Sequence, residues 1–257
     1  MEYWNPWRGC HKISEGCLNC YMYEQDKQFR MESNKVVKTN KFDLPLKKTR
    51  AGGMKIPEGS IVGVCFTSDF FIEEADAWRD DAWKLIAYRD DCTFLIITKR
   101  AERIKEHLPS DWGEGYKNVI ISVTGENQAR LDERIPILLE VPMLYRGITI
   151  APMLEEVTIQ TYLDTGKIFS VAVGGESCPK MARECHFEWV SKVKDECEIS
   201  RTNFAYHQTG TNLIVKGKQH WIPRDKEKEQ AKKANLDVTF TKVVMSQLSV
   251  EEFVGEF

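Results

Sequence analysis

The sequence lacks any long hydrophobic run. Nowhere in its 257 residues do about 18 apolar residues follow one another, so a membrane-spanning helix is not expected. The first residues, Glu2, Trp4 and Asn5 among them, do not have the basic and then apolar pattern of a secretory signal, and a cytoplasmic location is expected. The net charge is only −3, which is too small a field to recruit nucleic acid or an anionic membrane to the whole surface.

Several catalytic signatures are also missing. The five histidines form neither an H-x3-H nor an H-E-x2-H zinc pattern. There is no P-loop, no G-x-S-x-G nucleophile elbow and no G-x-G-x-x-G dinucleotide fingerprint. Histidine-based metalloenzymes, P-loop nucleotide hydrolases, α/β-hydrolases and Rossmann dehydrogenases are therefore disfavoured.

Cysteines, in contrast, are concentrated near the start of the chain. Cys10, Cys17 and Cys20 form a C-x6-C-x2-C triplet within the run WNPWRGCHKISEGCLNCYMYE. Three thiolates are one fewer than the four that close a structural zinc site or complete the ligand set of an iron–sulfur cluster. A metal centre with three protein ligands keeps one position open, and an open position is typical of catalytic sites.

The other five cysteines have less specific surroundings. Cys65 and Cys92 lie in or beside apolar runs and are interpreted as small buried hydrophobic residues. Cys178 and Cys185 repeat the six-residue spacing, and they are alternative ligands for an auxiliary cluster or for the completion of a zinc site. Cys197 fits the apolar stripe of a predicted helix.

Short strand-like runs alternate with helix-like stretches along most of the chain. This alternation predicts an α/β fold with a parallel sheet, either a partial or complete (βα) barrel or a doubly wound open sheet. The barrel domain is assigned to residues 1–210, and residues 211–257 are assigned to an extension packed on or beside it. The predicted strands are Ile61–Phe66, Thr93–Thr98, Val119–Val123, Gly147–Ile150, Phe169–Val173 and Asn203–His207. The predicted helices are Ala75–Arg89, Arg100–Leu108, Gln128–Leu139 and Arg183–Cys197.

Polar residues follow nearly every predicted strand. They are Thr67, Ser68 and Asp69, then Lys99 and Arg100, then Glu126 and Asn127, then Gly174, Gly175 and Glu176. Such residues also serve as turns and helix caps, but their recurrence at strand ends favours a site at the carboxyl-terminal rim of the sheet.

The opening run, together with CTFLIITKRAERIKEHL, VIISVTGENQ and VAVGGES, resembles a three-cysteine family of phage and bacterial proteins, the phage Gp37/Gp68-like proteins. That family is in turn similar to the radical S-adenosylmethionine (SAM) enzymes, which implies a barrel of the radical SAM type. The resemblance implies a [4Fe-4S] cluster held by Cys10, Cys17 and Cys20, with SAM chelating the fourth iron. Electron transfer from a flavodoxin- or ferredoxin-like donor would then yield a 5′-deoxyadenosyl radical.

The same resemblance implies roles for residues at the rim. Tyr21 would lie near the adenine, and the Gly174-Gly175-Glu176 segment would meet the SAM amino group, although Asp69 with Ser68 competes for that role. Lys99 or Arg100 would pair with the SAM carboxylate. Glu126 and Asn127 would bind the ribose, with capping of the following helix as the alternative for both. The six residues between the first two cysteines depart from the commonest spacing, C-x3-C-x2-C.

Two other functional classes stay open. One is a zinc-binding, noncatalytic interaction protein, and the other is a nucleic-acid-binding module in which the metal only stabilises the fold. The stretch Lys216–Lys233 has mixed charges and one tryptophan, which favours a solvated helix over a nucleic-acid contact. The substrate of a radical enzyme is not specified by the sequence; a nucleic acid or nucleotide is a candidate.

Overall fold

The computed structural model describes residues 1–240, and the last part of the assigned extension, including Leu248–Phe257, lies outside the described residues. The strands within these residues are β1 (Glu2–Trp4), β2 (Trp7–Arg8), β3 (Val37–Lys38), β4 (Ile61–Val64), β5 (Thr93–Thr98), β6 (Val119–Thr124), β7 (Tyr145–Ile150), β8 (Ile168–Gly174), β9 (Cys185–His186), β10 (Asn203–Gln208), β11 (Asn212–Val215) and β12 (Lys218–Trp221). The α-helices are α1 (Tyr21–Phe29), α2 (Asp76–Tyr88), α3 (Gln128–Glu140), α4 (Gln160–Leu163), α5 (Phe187–Ile199) and α6 (Glu227–Ala234).

Seven strands form one parallel sheet in the order β1-β4-β5-β6-β7-β8-β10. The order follows the chain without a reversal, as in a (βα) barrel, whereas a doubly wound sheet reverses its strand order at a switch point. Within residues 1–240 the edge strands β1 and β10 do not pair with each other, so the sheet is a half-barrel. The α/β fold and its partial-barrel form are confirmed, and all six predicted strands are present.

The helices α2, α3 and α5 occur where periodicity predicts them, since their apolar residues face the main hydrophobic core on the sheet. The predicted helix Arg100–Leu108 is wrong as an α-helix. The chain forms two short 3₁₀ helices there, Ala101–Arg103 and Lys105–His107, with i to i+3 backbone bonds. Only two turns fit before Pro109, and short segments commonly tighten in this way.

The prediction of one solvated helix over Lys216–Lys233 is also wrong. Lys216 and Gly217 both adopt positive φ, 49° and 73°, and form the tight turn of a hairpin between β11 and β12. Helical structure begins only at a short 3₁₀ helix, Arg224–Lys226, which is followed by α6; α6 packs against β10. None of the helices within residues 1–240 has both the length and the apolar character to span a bilayer.

Candidate functional site

The three cysteines lie on one loop, residues 9–20, which we call the cysteine loop. Trp7, directly before it, is fully buried, and its indole N–H donates to the carbonyl of Asp69 at 3.0 Å. Gly9 has φ of +96°, and a Cβ at this position would lie 2.3 Å from the carbonyl oxygen of Lys35. Only glycine therefore allows the chain to turn here, and it directs the following residues across the carboxyl ends of the strands.

The cysteine loop is hydrogen-bonded to three strand ends. After β4, the carbonyl of Thr67 accepts the Gly9 N–H at 3.1 Å, and Ser68 Oγ donates to the carbonyl of Gly9. After β6, Glu126 Oε1 accepts the N–H of Gly16 at 3.0 Å. Beyond the end of β8, Glu176 Oε2 accepts from Asn19 Nδ2 at 2.9 Å. The predicted rim residues and the triplet are thus brought together.

The thiols of the triplet are free and partly buried. Burial raises the pKa of Cys10 to about 12, and the charge of Asp69 adds to this effect, whereas Arg100 Nη1, at 3.9 Å from the sulfur, opposes it. Burial also raises the pKa of Cys20, although hydrogen bonds from the amide N–H groups of Met22 and Tyr23, at the start of α1, partly lower it. In the absence of a metal the thiols of Cys10 and Cys20 are therefore neutral at pH 7, and metal binding must displace their protons.

Within the described part of the chain, no three Cys, His, Asp or Glu side chains are grouped so that they could hold one metal ion. The three thiolates of a cluster each bind a different iron, so they need not converge on one point. Cys185 and Cys197 are buried in the hydrophobic core, as Cys65 and Cys92 are. Cys178 is buried too, and its backbone N–H donates to Thr211 Oγ1 at 3.1 Å.

The carboxylate of Asp69 is saturated with donors. Oδ1 accepts from the hydroxyl of Thr98 at 2.7 Å and from the N–H of Phe71 at 2.9 Å. Oδ2 accepts the N–H of Lys99 at 3.0 Å and lies 3.2 Å from Arg100 Nη1. Because a carboxylate has about four acceptor positions, Asp69 joins the ends of β4 and β5 and fixes Arg100.

Glu176 is equally occupied. Besides Asn19, it accepts three bonds from Arg183, which are donated by the backbone N–H, by Nε, both at 3.0 Å, and by Nη2. Glu126 accepts from Gly16, from the Ser14 hydroxyl and from Arg134 Nη1 at 3.0 Å, which leaves one acceptor position. Asp69 and Glu176, the two residues proposed for the SAM amino group, are thus each already engaged by four protein donors.

The two glycines before Glu176 make room for protein rather than for an open cavity. A Cβ on Gly174 would lie 2.3 Å from the imidazole of His207, and one on Gly175 would lie 2.2 Å from the carbonyl oxygen of Thr209. Asn127 caps α3, since its Oδ1 accepts the N–H of Arg130 at 2.9 Å. The Tyr21 hydroxyl donates to the carbonyl of Phe66 and ties the start of α1 to the end of β4.

Lys99 and Arg100, the two candidates for pairing with the SAM carboxylate, differ in whether their side chains already have partners in the protein. The Arg100 side chain is 4% exposed and lies between Asp69 and Glu73, at 3.2 and 3.6 Å. Lys99 is half-buried and forms no side-chain hydrogen bond or ion pair with residues 1–240. Its charge opposes the burial that raises the pKa of Cys20 and helps to lower the pKa of Glu126, so Lys99 lies on the cysteine side of the rim with its ammonium group uncommitted.

Comparison with protein families gives a match over residues 1–243 to the family described as "Protein of unknown function (DUF5131)". The chain belongs to this family. Searches of curated proteins and of solved structures gave no match. The match includes the cysteine loop and every strand end described above, so the whole candidate site of this DUF5131 protein lies within the family region.

Four residues that position the cysteine loop in this DUF5131 protein were not predicted from the sequence: Ser14, Asn19, Arg134 and Arg183. Arg134 had a usable signal, because it lies between Leu131 and Leu138 on the apolar face of α3, where a cation requires a buried partner. Asn19 and Arg183 had none, since the bonds that Glu176 accepts from them are visible only in the fold.

Proposed function

We propose that this DUF5131 protein is a radical SAM enzyme whose [4Fe-4S] cluster is held by Cys10, Cys17 and Cys20. The relationship to phage Gp37/Gp68-like proteins and to radical SAM barrels, which the sequence resembles, is part of this proposal. When bound, the cluster and SAM supply one-electron cleavage of the sulfonium, which yields a 5′-deoxyadenosyl radical. A flavodoxin- or ferredoxin-like protein in the cytoplasm is the proposed electron donor, and the substrate is left open.

The observation that carries the proposal is the docking of a loop with three free thiols onto the carboxyl ends of parallel strands. Thr67 and Ser68, Glu126, and Glu176 hold that loop from three sides. Ligands of barrel enzymes bind at this edge, and three soft donors from one segment suit an iron–sulfur cluster with an open iron. The donor chemistry and its placement therefore fit the proposed group.

The chain also supplies charge compensation for thiolates. Arg100 donates toward the sulfur of Cys10, and the amide N–H groups of Met22 and Tyr23 face the sulfur of Cys20. Hydrogen bonds to cluster sulfurs raise the reduction potential and stabilise the reduced form. Asp69 keeps Arg100 in this position, so Asp69 acts on the site as a positioning residue.

Lys99 is the proposed partner of the SAM carboxylate, because its ammonium group is uncommitted whereas Arg100 is engaged by Asp69. Glu126, with one acceptor position left, is the proposed partner of a ribose hydroxyl. Asp69 and Glu176 remain candidates for the amino group, which would compete there with the protein donors that each carboxylate already has.

The test is anaerobic reconstitution of the full chain with iron and sulfide, followed by reduction in the presence of SAM. The expected result is about four iron atoms per chain and formation of 5′-deoxyadenosine. Cys17→Ala should lose the cluster, whereas the matched control Cys178→Ala should keep it. A colourless protein with stoichiometric zinc would refute the proposal in favour of the zinc-binding alternative. Loss of iron in Cys178→Ala would refute the three-cysteine ligand set.

A further inference from the structure

Positive charge is concentrated in residues 35–55, which we call the basic segment. It has seven cationic residues and one carboxylate, a net charge of +6 in a chain whose total is −3. Lys47 pairs with Asp43 at 2.8 Å, and Lys35 lies 4.0 Å from Glu32. The remaining cations are exposed and have no carboxylate partner among residues 1–240; they are Lys38, Lys41, Lys48, Arg50 and Lys55. So many unneutralised charges in one segment favour a polyanionic partner.

The basic segment ends in a fixed hairpin. Lys48 and Met54 form an antiparallel bridge, and the N–H of Lys55 donates to the carbonyl of Lys47 at 2.8 Å. At its base, the buried guanidinium of Arg89 donates to the carbonyls of Pro45 and Ile56, at 2.6 and 2.9 Å. These bonds hold both arms of the hairpin against the end of α2, so the charges that it presents are positioned before any partner binds.

A groove of about 490 Å³ lies between the hairpin and α2, a size that suits a small ligand or part of a chain. Its lining residues are Leu46, Lys48, Met54, Lys84, Leu85 and Tyr88. The Tyr88 side chain is 70% exposed, and Lys84 forms its only described ion pair, within residues 1–240, with Asp81 at 2.9 Å. An exposed aromatic ring flanked by lysines accepts a stacked base and the phosphates beside it.

We propose that this groove and the basic segment bind single-stranded nucleic acid. Single strands are favoured over duplex because Tyr88 can stack only on a base that is not already stacked between the adjacent bases of a helix. An anionic membrane is disfavoured because the hairpin tip, residues 50–53, has no bulky apolar side chain to insert into a bilayer.

The basic segment adjoins the cysteine loop. β3 within it pairs with β2, and the N–H of Cys10 donates to the carbonyl of Ser33 at 2.9 Å, two residues before the segment begins. A strand bound along the segment would therefore extend toward the cysteines. That the bound strand is the substrate of the cysteine site rests on the proposed function, whereas the binding of the strand to the basic segment does not.

The test is fluorescence anisotropy of the metal-free full chain with labelled oligothymidylate of about 16 nucleotides. The charge-reversal pair Lys48→Glu and Arg50→Glu should weaken binding at least about tenfold and reduce the salt slope, log Kd against log salt, by about 1.4. Tyr88→Ala should weaken binding roughly five- to a hundredfold. The matched control, Lys167→Glu with Lys218→Glu, makes the same charge change at exposed lysines outside the segment and should retain most of the affinity.

Three results would overturn the inference: no binding by the wild type at about 50 mM salt, equal weakening in the control pair, or binding of anionic vesicles in place of the oligonucleotide. Thermal unfolding of each variant establishes that it is folded. Because the assay uses the metal-free chain, failure of the metal chemistry and failure of nucleic-acid binding are distinguished.

Discussion

The substitution Glu126→Gln tests whether a buried ion pair holds the cysteine loop to the end of β6. Glu126 is fully buried, the Arg134 side chain is 3% exposed, and the two are joined at 3.0 Å. Glutamine keeps an acceptor for the Gly16 N–H but removes the charge that faces Arg134. Loss of one partner of a buried pair costs about 3–5 kcal/mol. Because Arg134 also donates to the carbonyl of Thr124 at 2.6 Å, a value near the lower end, about 3 kcal/mol, is expected.

The free energy of unfolding, measured in urea at pH 7, gives this cost directly. Burial alone would raise the pKa of Glu126, but Lys99, the Ser14 hydroxyl, Arg134 and the Gly16 N–H together hold it below 4.5. A carboxylate with a lowered folded-state pKa stabilises the fold above its unfolded pKa, and this contribution disappears as pH falls through the folded value. The difference between wild type and Glu126→Gln should therefore shrink once the pH drops below 4.5.

A double-mutant cycle with Arg134→Met isolates the pair. Because the double variant leaves no unpaired buried charge, it should be more stable than the sum of the single costs implies, by at least about 2 kcal/mol. Glu140→Gln is the control. It removes an exposed carboxylate on α3, the helix that contains Arg134, and should change stability by no more than about 0.5 kcal/mol. Additivity of the two single substitutions would refute the ion-pair explanation.

Three further outcomes are expected. Asn127→Ala should cost about 1 kcal/mol in urea unfolding, because it removes the cap of α3; an unchanged midpoint would contradict that role. Gly175→Ala should cost about 1–3 kcal/mol, because the new methyl group would lie 2.2 Å from the carbonyl oxygen of Thr209; a neutral result would show that the adjacent loop yields easily. In metal-free protein at pH 8, Cys10 should be alkylated about fiftyfold more slowly than a thiol of pKa 9.0, since burial raises its pKa to about 12 and the greater nucleophilicity of its thiolate only partly offsets the smaller thiolate fraction. Mass spectrometry of the alkylated peptide measures that rate, and rapid labelling would contradict the burial.

The fold was largely predictable from local sequence signals, and the two wrong predictions of secondary structure also have local causes. Apolar runs such as Thr93–Thr98 are buried on both faces, which makes the strand pattern unambiguous. The segment Arg100–Leu108 has helical periodicity, but periodicity does not tell an α-helix from two 3₁₀ turns ahead of a proline. In Lys216–Lys233 the mixed charges were interpreted as a solvated helix. The missed signal was Gly217, because the tight turn at Lys216 and Gly217 has positive φ at both residues and joins β11 to β12 in a hairpin.

The site was predictable in its location but not in its internal bonding. The rule that ligands gather at the carboxyl ends of parallel strands placed Ser68, Glu126 and Glu176 at one rim, and all three contact the cysteine loop there. Their partners, Ser14, Gly16 and Asn19, could not be predicted, because the chemistry that suits a ligand's ammonium or hydroxyl also suits a loop's amide. Residue type alone does not distinguish a group that binds a ligand from one that anchors a loop.

The number of hydrogen bonds that a side chain already makes does distinguish a group that anchors the loop from one that is free to bind a ligand. Asp69 accepts three hydrogen bonds and pairs with Arg100, and Glu176 accepts four hydrogen bonds. A new donor therefore competes with these partners and would loosen either the joint between β4 and β5 or the anchor at Asn19. Lys99 has no bond to lose, and Glu126 has one position left. Ligand binding through Lys99 would leave the loop docked, whereas binding through the buried carboxylates of Glu126, Asp69 or Glu176 would couple ligand affinity to movement of the segment that holds the cysteines.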